Sequence, residues 1–219
     1  MHTLEYINKD IRPLDINDKI KKAQKLFEQY NYSHFPVVNK NLFCGLIERQ
    51  SVEFNDFNGE NLIDIKNKFR IFYADDAMNW FEVLQNFTTH NSNLIPVLNK
   101  AKEYVGYYEL NDFLNIFRCT PFLHEDGVIL VISKNINEYS FSEITQIVES
   151  NNATLFGAFI SKIENEEAQI VLKLSIHDIN NTLLSFRRYN YRILNEFKKD
   201  KYLDELNERS DYLQKYLNI

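Results

Sequence analysis

Two stretches of the chain carry the same order of apolar and polar positions. Residues 34–51 read HFPVVNKNLFCGLIERQS and residues 94–112 read LIPVLNKAKEYVGYYELND. Pro36 answers Pro96, and Val37-Val38-Asn39-Lys40 answers Val97-Leu98-Asn99-Lys100. Gly45 answers Gly106, Glu48 answers Glu109, and Ser51 answers Asp112, the second hairpin being one residue longer. An internal repeat constrains the fold more than any single motif, because it makes one unit the template for two.

Each copy predicts the same elements. An amphipathic helix leads in, with Ile20, Ala23, Phe27 and Tyr30 in the first copy and Trp80, Phe81, Leu84 and Phe87 in the second. Those spacings align one apolar stripe along each helix. A short apolar strand follows, then a turn at Asn39-Lys40 or Asn99-Lys100, a return strand, and a helix shortly after the glycine. Proline stands at the start of the strand, where no ladder donor is needed. Residues 1–17 predict a short opening strand or helix and a turn at Arg12-Pro13. Asp15, Asn17 or Asp18 is expected to cap the first helix, and Asp75 or Asp76 the second. Residues 55–68 form a polar link broken by Gly59, and FRIFY, 69–73, is expected to be the strand that opens the second copy.

The pattern changes after Cys119. Residues 120–126 read as a linker. VILVI, 128–132, predicts a buried strand, and Ser140-Phe141-Ser142-Glu143 a capping box ahead of a helix faced by Ile144, Ile147 and Val148. ATLFGAFI, 153–160, and QIVLKLSI, 169–176, predict a hairpin around ENEE, 164–167. Asp178 is expected to cap a helix bearing Ile179, Leu183 and Phe186, and YRIL, 191–194, is a last strand. The order βαββαβ is that of a ferredoxin-like split βαβ unit. In the tail, Leu203, Leu206, Ser210, Leu213 and Leu217 recur at helical spacing over two heptads, short of the ~3–4 heptads of a sustained coiled coil. Such a helix docks on its own domain or contacts a subunit or partner.

Composition narrows the function classes. Of 219 residues 44% are apolar and 26% charged, as in ordinary globular proteins. A net charge of −6 with no basic block argues against nucleic acid as the main partner. No run approaches ~18 apolar residues, and MHTLEYINKDIRP has no apolar signal core, so no membrane span is expected and the expected location is cytoplasmic. Cys44 and Cys119 make no disulfide framework, and Cys44 is expected to be a buried, inert thiol. Phosphate-loop, dinucleotide and nucleophile-elbow patterns are missing, and no histidines stand at ligand spacing. His124-Glu125-Asp126 reads as a solvated turn. Catalysis, a cofactor and a metal site are not expected.

The repeated motif is similar to a tandem pair of CBS domains, a Bateman module. Its marks are a Pro-Val-Val-type strand, a hairpin, Gly-hydrophobic-hydrophobic, then Ser or Thr, two residues, and Asp. The resemblance covers about residues 1–119, with one repeat at about 1–58 and the other at about 59–119. It implies two β-α-β-β-α repeats packed as a pair, with adenosyl ligands in the clefts between them. The motif's Asp, which holds the ribose hydroxyls, falls on Asp112; the first repeat has Ser51 there. The motif's Ser or Thr, which serves phosphate, is Glu48 and Glu109 in this chain.

Residues 127–197, in their element order, resemble an ACT-type regulatory domain, followed by a C-terminal helix over 198–219. The whole α+β arrangement is similar to AcuB-type proteins of acetoin utilisation. ACT domains usually carry an Asp-x-x-Gly ligand loop, and Glu138-Tyr139-Ser140-Phe141 stands in that place. The resemblance implies a non-catalytic regulatory homodimer sensing an adenosyl ligand in the second-repeat cleft. There Asp112 would receive the ribose. Gly106, Tyr108 and the backbone at Leu94, Ile95 and Pro96 would admit the adenine. Glu109 would cap the helix and repel phosphate, favouring adenosine or a cationic adenosyl compound over ATP. A ligand-free scaffold that binds a protein partner is the alternative.

Overall fold

The structure, a computed structural model, describes residues 3–53, 60–75, 77–175 and 179–195. Its chain divides into two compact units, residues 1–117 and 118–219.

The first unit builds the repeat twice. After a 3-10 turn at Thr3–Tyr6 come β1 (Leu14–Asp15), α1 (Ile20–Gln29), β2 (His34–Asn39), β3 (Leu42–Glu48) and the short α2 (Gln50–Glu53). A second 3-10 stretch, Leu62–Lys68, leads to β4 (Ala74–Asp75), α3 (Trp80–Thr89), β5 (Leu94–Leu98), β6 (Tyr104–Glu109) and α4 (Leu110–Arg118). Each copy makes a three-stranded sheet with one parallel and one antiparallel pair. The likeness extends to the irregularities. Both hairpins are bulged just after the pair that sets Val37 against Gly45 or Val97 against Gly106. Strands β2 and β5 are buried almost throughout, as expected of strands covered on both faces. One continuous core spans both repeats, with Phe35, Leu46, Ile47, Ile95, Tyr107, Tyr108 and Phe113 at its centre.

Several local expectations are corrected. FRIFY is not a strand: it makes a single bridge, Arg70 to Leu46 of β3, and the strand begins at Ala74. The segment crosses to the other repeat instead of joining its own sheet. Asn8 does the same in reverse, pairing with Tyr107 of β6. Helix α1 starts after Lys19 without a side-chain cap, because Asp18 already accepts from Asp15 N and from Lys22. Helix α3 is capped by Asn79, whose side chain accepts from Phe81 N and Glu82 N while Glu82 returns a carboxylate to Asn79 N. Its buried face is Val83 and Phe87; Phe81 lies outward, stacked on Trp80 at 3.8 Å. Cys44 is only partly buried, though burial still raises its thiol pKa.

The second unit opens with a short helix, α5 (Pro121–His124), inside the stretch read as a linker. Then follow β7 (Val128–Asn135), α6 (Phe141–Ser150), β8 (Thr154–Glu164), β9 (Glu167–Ser175), α7 (Ile179–Arg188) and β10 (Arg192–Ile193). The sheet order β10-β7-β9-β8 is the ferredoxin-like arrangement that the element order predicts. Asn165 and Glu166 both have positive φ and close the β8–β9 hairpin. Ser140 caps α6 by accepting from Glu143 N, but Glu143 turns away to pair with Lys134 at 2.9 Å. The core under α6 and α7 is formed by Leu130, Ile132, Ile170, Leu172, Leu183 and Phe186. Asp178 and the C-terminal helix expected over 198–219 lie outside the described residues.

Candidate functional site

Two clefts of the first unit correspond by the repeat, and their chemistry differs. In each, a lead-in segment from one repeat crosses the return strand of the other, beside the residue that answers Glu48 or Glu109.

The second-repeat cleft is acidic and closed by hydrogen bonds. Asp112 stands in the first turn of α4, half-buried, and its Oδ2 accepts from Asn8 Nδ2 at 2.8 Å. Asn8 is fixed there by its backbone, which gives N–H to Tyr107 O at 2.8 Å and takes Tyr107 N–H at 3.0 Å. The Tyr107 hydroxyl donates to Asp10 Oδ1 at 2.6 Å, and the Tyr32 hydroxyl donates to Glu109 Oε1 at 2.7 Å. Burial, with the Glu109 carboxylate adding to it, pushes the Tyr32 phenol up to about 12. Burial and the Asp10 hydrogen bond push Tyr107 up as well. Both phenols therefore remain neutral donors at any physiological pH.

Each sequence-derived candidate has a definite place. Glu109 ends β6 and engages Tyr32. Leu94, Ile95, Pro96 and Tyr108 are buried, and of these Leu94, Ile95 and Tyr108 belong to the core. Gly106 has no room beside it: a Cβ there would lie 2.5 Å from Asn8 O and 2.5 Å from Ile7 Cγ2. Ligand access along Gly106 thus requires the lead-in segment to move. Asn8 reaches Asp112 across 104 positions, Tyr32 reaches Glu109 across 77 and Tyr107 reaches Asp10 across 97, partners that sequence spacing gives no means of finding.

The first-repeat cleft is mixed in charge and open. Ser51 stands where Asp112 does in the other copy. Glu48 lies 3.6 Å from the Arg70 guanidinium. Beneath them His34 is buried, its Nδ1 2.8 Å from Ser33 Oγ. Phe72 meets the His34 ring edge-on at 5.2 Å and stacks flat on His90 at 4.1 Å. Burial lowers the pKa of both histidines; for His34, Arg70 and His90 add to the lowering and Glu48 opposes it. A cavity of about 440 Å³ is lined by His34, Glu48, Arg70, Phe72, Thr89 and His90. A second, of about 230 Å³, adjoins it through His34 and Glu48 and reaches Arg49. Arg49 spends Nε and one terminal nitrogen on the carbonyls of Tyr32 and Tyr30.

Between the clefts the repeats are tied by polar contacts. Ser33 N and Oγ donate to Asn93 Oδ1, Ser33 Oγ lies 3.2 Å from Ser92 Oγ, and Asn93 Nδ2 donates to Asn31 O. Among the described residues no cluster of His, Cys, Asp and Glu could hold a metal ion. None of their helices is long and apolar enough to cross a membrane.

Comparison with known proteins reaches part of the chain. No curated protein matches the chain. Among solved structures, a CBS domain pair/ACT domain protein from Thermotoga maritima aligns at 18% identity, over 53% of this chain and 96% of its own, with a TM-score of 0.48. The CBS domains of a transcriptional regulator from Streptococcus pneumoniae align at 19% identity, over 52% and 92%, with a TM-score of 0.41. The cytosolic domain of the Mg2+ channel MgtE in complex with ATP aligns at 13% identity, over 52% and 48%, with a TM-score of 0.46. These scores are too low for any residue role to be transferred. The CBS domain family model matches residues 4–52, the first of the two repeats, so a CBS domain is present in this chain.

Proposed function

We propose that the chain is a non-catalytic regulatory protein built on a CBS pair, and that its second-repeat cleft takes an adenosyl ligand on Asp112. The observation that carries this reading is the carboxylate's setting. Asp112 lies half-buried at the start of α4 and already accepts a neutral amide donor, Asn8 Nδ2. A ribose diol offers two hydroxyl donors to the same two oxygens. Asp10 and Glu109 flank the cleft and add negative charge, so adenosine or a cationic adenosyl compound is favoured over ATP. A ligand regulates only if it binds two states differently. Here the states differ in whether Asn8 or the ligand holds Asp112, and Asn8 carries the lead-in segment with it.

We further propose a regulatory assembly in which the ferredoxin-like unit is an ACT-like domain, the chain is a homodimer and the domains follow an AcuB-type order; the sheet order β10-β7-β9-β8 supports the first of these. The closed hydrogen bonding of the second cleft favours a second reading, a ligand-free platform for a protein partner. Titration calorimetry with adenosine, AMP, ATP and S-adenosylmethionine, on the wild type and on Asp112→Ala, separates the two. The regulatory reading expects adenosine or S-adenosylmethionine to bind more tightly than ATP and Asp112→Ala to lose that binding. Absence of heat from all four ligands supports the platform.

A further inference from the structure

The register of β2 and β3 sets His34 opposite Glu48, and the bridge from Arg70 to Leu46 brings the other repeat beside that pair. With Phe72, Thr89 and His90 these residues line the cavity of about 440 Å³. The ion pair within it is loose. Glu48 Oε2 and Arg70 Nε lie 3.6 Å apart, against ~2.7–2.9 Å for a charge-assisted bond, and 67% of the Arg70 side chain is exposed. Arg70 therefore keeps a planar N–H fork that fits a carboxylate with two parallel bonds.

His34 supplies a second acceptor. It is 4% exposed, and its Nδ1 lies 2.8 Å from Ser33 Oγ. The one hydroxyl hydrogen of Ser33 goes to Asn93 Oδ1 at 3.1 Å, so His34 Nδ1 carries the proton and donates to Ser33. Burial lowers the His34 pKa, and a neutral ring protonated on Nδ1 has Nε2 as an acceptor. The cavity thus sets two acceptors, Glu48 and His34 Nε2, against one bidentate cation. A ligand carrying only an anion would draw Arg70 away and leave Glu48 without its partner; one carrying only a cation would strand Arg70. Breaking one half of a partly buried pair is destabilising unless the freed group is paired again. A zwitterion pairs both: its ammonium offers three hydrogens to Glu48 and His34, and its carboxylate receives the Arg70 fork. A nucleotide phosphate would meet the Glu48 charge instead, and Ser51, at the position of Asp112, offers a ribose only one hydroxyl. The remaining wall is the Phe72 ring lying flat on His90 at 4.1 Å, a face for an apolar side chain.

We propose that the first-repeat cavity binds a free α-amino acid with an apolar side chain, its ammonium on Glu48 and His34 and its carboxylate on Arg70. The inference goes beyond the reading of the second cleft and stands without it. Its test is titration calorimetry of the full chain with L-leucine, L-isoleucine and L-phenylalanine up to millimolar concentration. The expected result is saturable binding of at least one of them. Its amide, which lacks the carboxylate, and its N-acetyl form, which lacks the ammonium, should each bind at least tenfold more weakly. Those comparisons use the wild type, so no folding defect enters them. Glu48→Gln and Arg70→Gln should each weaken the same amino acid at least tenfold. Absence of binding by all three overturns the proposal, as does equal affinity for the amide or the N-acetyl form. Binding that survives both substitutions places the amino acid elsewhere in the chain and overturns it as well. AMP bound more tightly than any of the three, with that affinity lost in Arg70→Gln, makes the cavity a nucleotide site and also overturns it.

Discussion

Asn8→Ala separates the two readings of the second cleft most sharply. The substitution removes one hydrogen bond, Asn8 Nδ2 to Asp112 Oδ2 at 2.8 Å, and leaves the backbone pairing of Asn8 with Tyr107 in place. A hydrogen bond to a charged group contributes about 1.5–3 kcal/mol, and in this half-buried setting the lower end applies. Stability should therefore fall by about 1.5 kcal/mol, read as a lower denaturant midpoint at unchanged slope. A ribose that competes with Asn8 for Asp112 is freed of the same cost. Adenosine or S-adenosylmethionine should bind Asn8→Ala about tenfold more tightly than wild type, since ~1.4 kcal/mol corresponds to a factor of ten. Calorimetry on the two proteins reads the ratio directly. Weaker binding by Asn8→Ala, or equal binding, would refute competition at Asp112; unchanged stability would refute the contact itself.

Other outcomes follow from the same geometry. The pKa of His34 is lowered by burial, so the unfolded chain takes up its proton first as pH falls below ~6.5; stability should decline from pH 7 toward 5.5, and His34→Leu, the residue of the matching position 94, should flatten that decline in thermal melts. Gly45 has φ +141° and a Cβ there would lie 2.9 Å from Phe69 Cβ, so Gly45→Ala should cost about 3 kcal/mol by denaturant unfolding, and a cost below ~1 kcal/mol would show that residues 69–71 yield freely. For the homodimer, Phe81 and Leu114 supply outward apolar surface on α3 and α4, so Phe81→Glu with Leu114→Glu should convert a dimer into a monomer by light scattering; a wild-type monomer at micromolar concentration removes the premise.

The packing of this protein was legible because it is written twice. Val37 and Val97, Phe27 and Phe87, Ile47 and Tyr108 occupy matching buried positions, and period-two and period-3.6 patterns located their elements. The βαββαβ order of the second half followed from the same periodicities. Edges were harder. FRIFY has the composition of a strand, yet Ile71 is exposed and the segment meets one partner across the repeats, a long-range choice that local pattern does not encode. The cap of α3 was present in the sequence as Asn79-Trp80-Phe81-Glu82 and was obscured by the acids Asp75 and Asp76 upstream of it. The short helix α5 begins at Pro121, a residue suited to a first helical turn as much as to a linker.

The candidate site was half legible for a physical reason. Asp112 and Glu109 became candidates because the repeat marks their positions, whereas what each carboxylate does depends on the residues that reach it from elsewhere in the chain. Glu48 and Glu109 end equivalent strands and face equivalent partners, His34 and Leu94. Around Glu48 the other repeat delivers a cation, Arg70; around Glu109 it delivers a phenol, Tyr32. One copy thereby neutralises its carboxylate with charge and leaves a cavity, while the other satisfies its acids with neutral donors and keeps their negative charge. Two clefts of one fold consequently present different electrostatics to whatever enters them. A charge-bearing ligand has to distinguish them, and only variants made in matched pairs, such as Glu48→Gln beside Glu109→Gln, can assign a binding signal to one cleft.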